Sequence, residues 1–137
     1  MRTFRAYRRG VGQVLYQSEY YVLEKRPDAI HLERTSAPFP DLGVLESESH
    51  AVCAVLDPHR HTAMVMDLRR AVGRNDPEFE DKMKVLRPNL TRGFPRVAIV
   101  VSSVIGRMHV QRHMREDRVP ALVTLDETEA LRYVSTR

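Results

Sequence analysis

Cysteine occurs once in this chain, at Cys53. A single thiol excludes an intrachain disulfide and suits a reducing, cytoplasmic setting. No apolar run approaches the ~20 residues of a membrane-spanning helix. The first residues carry arginines with no apolar segment behind them, so no secretory signal is expected there. Glycine is sparse where a phosphate loop would need it. Ser102 to Arg107 holds Gly106 alone, and Gly73 is also single, with no Gly-Lys-Ser/Thr. A Walker-type nucleotide cradle is therefore excluded. There is no internal repeat and no low-complexity tract.

What is present is ordinary globular usage. Of 137 residues, 42% are hydrophobic and 29% charged, which is neither a disordered nor a fibrous bias. A chain of this size buries roughly two thirds of its unfolded surface and needs no staple. The formal charge of +4 has a local origin. Arg2, Arg5, Arg8 and Arg9 stand in the first nine residues without an acid, and the rest of the chain carries 18 basic and 18 acidic residues. The expected organisation is a basic, flexible tail at 1–9 and one domain at 10–137. No nucleic-acid contact is expected beyond the arginine-rich tail, because the body lacks a net basic face. The tail itself reads as a frayed terminus or a weak anionic contact.

The N-terminal third predicts strands at Val11 to Tyr16, Tyr20 to Lys25 and Ala29 to Arg34. In the last, Ile30, Leu32 and Arg34 alternate with His31 and Glu33. Arg26-Pro27-Asp28 is a turn, and the Ser36 to Pro40 stretch breaks the pattern. A helix from about Asp41 to Leu56 follows, with Leu45, Val52, Val55 and Leu56 inward and Glu46, Glu48 and Ser49 outside. Asp57-Pro58 ends it.

Ala63 to Met66 is a short continuous apolar run ending in Asp67, as in a strand covered on both faces. After a loop from Leu68 to Asn75 comes a strong helix start: Asp76 as cap, Pro77 at the first position, Glu78 and Glu80 in the first turn. Phe79, Met83, Leu86 and Leu90 keep helical spacing. Pro88 predicts a kink or an end, and Gly93 closes the segment. Arg96 to Val101 is a second buried strand, Ser102-Ser103 caps a helix to about Glu116, and Ala121 to Leu125 is a last strand. Asp126 caps a final helix with Glu129 placed for a capping box, and Leu125 and Ala130 stand at staple positions.

From Ala63 onward strand and helix alternate. That order demands parallel strands with right-handed crossovers. The fold class is thus α/β, a single compact domain whose mixed sheet joins antiparallel N-terminal strands to parallel C-terminal strands flanked by helices.

The run from Met64 to Glu80 resembles the central segment of bacterial SpoIIAA-like proteins, the STAS group. Gly106 to Arg112 and the Asp126 to Tyr133 ending are similar to that group as well. The resemblance covers roughly Tyr20 to Val134 in element order. It implies a small sheet packed on helices that acts through protein partners. In that group a partner kinase phosphorylates a serine in an Asp-Ser-Ser pattern about eight residues beyond an Asp-Leu pair. Counting from Asp67-Leu68 reaches Asn75-Asp76-Pro77, where there is no hydroxyl. The phospho-switch is not expected here, and Asp76 reads as a helix cap.

Open α/β sheets bind ligands beyond the carboxyl ends of their strands. That edge collects Arg69, Arg70, Arg74, Asn75, Asp76 and Phe79, then Ser102, Ser103 and Arg107, as candidate partner- or anion-binding residues. Their alternative is pairing with Asp67, Asp76 and Glu78. His109 and His113 share a helix face, but Val110 stands where a zinc protease needs its glutamate. Asp57, His59 and His61 lack a fixed fourth donor, so no metal is expected. Cys53 reads as a small core residue, and Ser103 as a cap without a histidine–acid pair.

No assembled catalytic set or cofactor motif emerges. The leading expectation is a non-catalytic regulatory or scaffolding module that binds a protein partner, with homodimerisation as a related option. The alternatives are a carrier of a small apolar ligand or lipid, hinted at by Met-rich strands and a Pro-containing helix, and an anion-binding module at the Arg69, Arg74 and Arg107 edge. An enzyme using Ser103 or His109 ranks last.

Overall fold

A computed structural model describes residues 12–74 and 76–136. The expected tail at 1–9, Val11 and Asn75 lie outside them. The described residues form one six-stranded mixed sheet and four α-helices. The strands are β1 (Gln13–Gln17), β2 (Tyr21–Lys25), β3 (Ala29–Arg34), β4 (Ala63–Asp67), β5 (Val97–Val100) and β6 (Ala121–Thr124). The helices are α1 (Leu42–Leu56), α2 (Pro77–Thr91), α3 (Val104–Asp117) and α4 (Glu127–Ser135).

The strands lie side by side in chain order, β1 to β6. β1–β2 and β2–β3 are antiparallel, and β3 through β6 are parallel. Met64 pairs with Val97 and Met66 with Ile99 in the same direction, as the alternation requires. An order without reversal has a consequence. Successive right-handed crossovers place every connecting helix on the same face. Leu45, Val52 and Leu56 of α1, Leu86 and Leu90 of α2, and Met114 of α3 accordingly share one core with Ile30, Leu32, Met64 and Ile99. α4 has no strand after it and folds onto the other face, where Ala130 and Val134 pack on Val65, Ala98 and Val100. The small side chains of β5 on that side, Ala98 above all, let α4 approach closely. β4 and β5 are covered on both faces, which is why they read as unbroken apolar runs. Each fully buried aliphatic side chain of this core contributes about 1.5–3 kcal/mol.

Local chemistry sets the helix starts. Asp41 accepts from Val44 N at 2.8 Å, and Ser103 accepts from Gly106 N at 3.0 Å. Four expectations need correction. α2 runs through Pro88 to Thr91, since only the last turn lies beyond the proline and Gly93, at φ +86°, closes the segment. The capping box at α4 does not form. The Asp126 N–H bonds the Thr124 hydroxyl, and that hydroxyl in turn donates to Glu129, so a threonine relays what the box would have made directly. The staple is open as well: Ala130 is buried, but Leu125 is exposed. Ser49, expected outside, is buried in α1 against the sheet, with its hydroxyl unbonded.

Two cationic clasps join elements. Arg60, after the turn at Asp57–His59, donates to Asp57, Asn89 O and Arg92 O at 2.8 Å each, holding that turn to the carbonyl end of α2. Arg87 of α2 forks onto Asp117 at the end of α3 at 2.6 and 2.8 Å.

Candidate functional site

The carboxyl ends of β4, β5 and β6 lie together, as parallel pairing requires, and the three segments that follow them are neighbours. The expected arginine cluster is not one set. Arg69 folds back on Asp67, with Nε and Nη2 donating to the two carboxylate oxygens at 3.0 and 2.8 Å, and Nη2 also reaches Glu127 at 3.4 Å. The Asp67 carboxylate raises the Arg69 pKa above the ordinary arginine range. Arg70 stands 3.6 Å from Glu33. These residues, with Arg26 and His31, border a polar hollow on the α4 side of the sheet.

Arg74 turns toward the other helices. It forks onto Asp76 at 2.9 Å twice, and its guanidinium lies 4.4 Å over the Phe79 ring. The Arg74 hydrogen bonds hold the Asp76 carboxyl below its usual range. Asp76 also accepts from Phe79 N at 3.3 Å, closing the cap of α2. A helix N-terminus and a matched guanidinium thus explain this aspartate fully. Asn75 lies outside the described residues. Ser103 caps α3, Ser102 beside it is exposed, and the Arg107 N–H enters the first turn of α3 by bonding Ser103 O. Guanidiniums already forked onto carboxylates hold few donors for an anion, and Arg69 and Arg74 lie on opposite sides of the sheet.

Exposed apolar side chains are the feature that does gather at this edge. Among the described residues seven large hydrophobics are exposed. Val72 follows β4, Val104, Ile105 and Met108 follow β5, and Leu125 follows β6; Val14 and Val85 lie elsewhere. Ile105 is 68% exposed and Met108 61%. Scattered singly such residues are unremarkable; five of the seven in the segments after three adjacent parallel strands make this edge a candidate interaction surface. The residue pattern offered a signal: Val104-Ile105 directly after a serine cap occupies the first turn of α3, away from the sheet.

Behind the segment from Leu68 to Arg74, between α2, α3 and the sheet, lies a cavity of about 270 Å³. Met66, Phe79, Met83, Ile99 and Met114 supply much of its apolar wall, and Tyr21 and Phe39 close the side toward β2. The polar groups on it include Arg34, Glu80, Arg87 and His113. Burial, and then the charge of Arg87, lower the His113 pKa, favouring the neutral imidazole. None of Tyr21, Arg34 and Phe39 was expected at a site. The clue lay in the parity of β3, since Arg34 shares the inward face with Ile30 and Leu32, a position that an ordinary core would not give to a cation.

Cys53 points its Sγ at Asn89 O, 3.5 Å away, and burial pushes its thiol pKa up. That is the opposite of an activated nucleophile. No helix among the described residues is long and apolar enough to cross a membrane. No family profile, curated protein or solved structure matches this chain.

Proposed function

We propose that this chain is a non-catalytic regulatory or scaffolding module of STAS type, acting in the cytoplasm by binding a protein partner at the carboxyl edge of its parallel strands. The observation that carries the reading is the collection of Val72, Val104, Ile105, Met108 and Leu125 in three adjacent segments at that edge. An exposed apolar group with charged side chains in the same segments has the composition of a contact patch, in which apolar burial provides affinity and charged neighbours provide orientation. The similarity of the Met64 to Glu80 run to SpoIIAA-like proteins supports partner binding, and the fixed cap at Asp76 argues for contact without a phosphorylation switch at that position. The single reduced cysteine fits the compartment.

The test pairs two double or single variants on exposed positions. The unaltered chain should hold a partner from native lysate in a fixed stoichiometry, or itself in a dimer by light scattering. Ile105→Glu with Met108→Glu should abolish that complex. Val85→Glu, equally exposed but on the middle of α2, should leave it intact. Loss with both, or with neither, removes the edge as the contact surface.

A further inference from the structure

We infer that the cavity between α2, α3 and the sheet is a binding site for a small organic carboxylate with an apolar body, its acid group held by Arg34. The cavity shares Val72 and Arg74 with the exposed edge but not Ile105 or Met108, and the inference goes beyond the partner-binding reading.

Three guanidiniums border the cavity: Arg34, Arg74 and Arg87. Arg74 is matched by both oxygens of Asp76, and Arg87 by both oxygens of Asp117. Arg34 has no carboxylate at ion-pair distance among the described residues. It is half-buried, and its hydrogen bonds to protein all leave from Nη1, to Tyr20 O at 3.1 Å, to Thr35 O at 2.9 Å and to the Thr35 hydroxyl at 3.5 Å. Its plane is held 4.1 Å over the Phe39 ring. Carbonyls and an aromatic face orient this cation, and Glu48, the carboxylate that acts on it from beyond ion-pair distance, is itself bonded to the Tyr16 and Ser18 hydroxyls. A planar guanidinium held in this way is shaped for a carboxylate, which it can meet with two parallel N–H donors.

The body of the ligand follows from the walls. Met66, Phe79, Met83, Ile99 and Met114 present carbon and thioether surface, and methionine adapts to varied shapes. The volume of about 270 Å³ sits just under the ~300 Å³ lower end of ordinary ligand pockets. It therefore admits a metabolite-sized molecule and excludes a two-chain lipid. Glu80 on the wall disfavours a second negative charge, so the acid is a monoanion.

The probe is octanoate, with octanamide as its neutral counterpart, titrated into the full chain carrying ¹³C-methyl methionine. Octanoate should shift the Met66, Met83 and Met114 methyl signals and leave exposed Met108 unmoved. Octanamide should bind at least ten-fold more weakly. Arg34→Gln should bring octanoate to the affinity of the amide and leave the amide unchanged. Equal affinity of acid and amide in the unaltered chain would overturn the assignment, as would shifts centred on Met108 or no saturation by about 1 mM octanoate. Should the Arg34 variant misfold, the acid–amide comparison alone still decides. The Ile105→Glu, Met108→Glu chain should bind octanoate normally, so failure of the edge reading and failure of the cavity reading are separately visible.

Discussion

The clasp between Arg87 and Asp117 gives the sharpest test of how the helix layer is held. The two side chains are only 11% and 6% exposed, and they meet through two short hydrogen bonds across α2 and α3. Replacing Arg87 by methionine keeps the aliphatic stem and removes the charge. The Asp117 carboxylate would then be buried without its partner at the carbonyl end of α3, where the helix dipole already disfavours a negative charge. Removing one member of a buried pair costs about 3–5 kcal/mol. At ~2.1 cal/mol/K of unfolding entropy per residue, that loss lowers Tm by about 10–17 °C for a chain of this length. Asp117→Leu should cost less, because Arg87 keeps Glu116 at 3.7 Å. The double variant Arg87→Met, Asp117→Leu should recover most of the loss, since an apolar pair can substitute for a buried ion pair. Urea unfolding followed by circular dichroism gives all three values and their coupling energy. A loss under about 1 kcal/mol for Arg87→Met, the value of an exposed pair, or an additive double variant, would refute the reasoning.

Other consequences are as direct. Ser49 is 2% exposed with its hydroxyl unbonded, so Ser49→Ala should stabilise the chain by about 0.5–1 kcal/mol, through a lost desolvation penalty and better helix propensity; a lower Tm would show that the hydroxyl is satisfied. Arg118 ends α3 in the left-handed region at φ 59°, ψ 40°. Arg118→Gly should therefore raise stability by up to about 1 kcal/mol in the same urea assay, and a loss would mean that the Arg118 side chain contributes more than its backbone conformation costs. Tyr21 is buried, and burial pushes its phenol up to about 12. The unfolded chain releases this proton near pH 10 while the folded chain holds it, so stability is lost as pH rises from 10 toward 12. Tyr21→Phe should remove up to about 3 kcal/mol of that decline; parallel pH profiles for the two chains would contradict the burial argument.

Local chemistry alone determined much of this fold. Asp41, Asp76, Ser103 and Asp126 mark helix starts because a short side-chain acceptor meets a free N–H two or three residues ahead, an interaction that needs no distant partner. The alternation of strands and helices after Ala63 likewise implies parallel pairing, because only a crossover returns the chain in the same direction. Where partners are far apart in the chain, residue patterns were silent or misleading. Strand order decided that α1, α2 and α3 share a face, and hence that Ser49 is buried and that a cavity forms under the segment after β4. Tertiary contact brought Glu127 to Arg69 and Glu33 to Arg70 on one side of the sheet and left Arg74 on the other, splitting arginines that the chain places within six residues of one another. Arg34 shows the division most clearly. Its parity in β3 was visible in the sequence, but only the packed helices reveal what it faces, because the electrostatic environment of a charge is set by groups brought together in space.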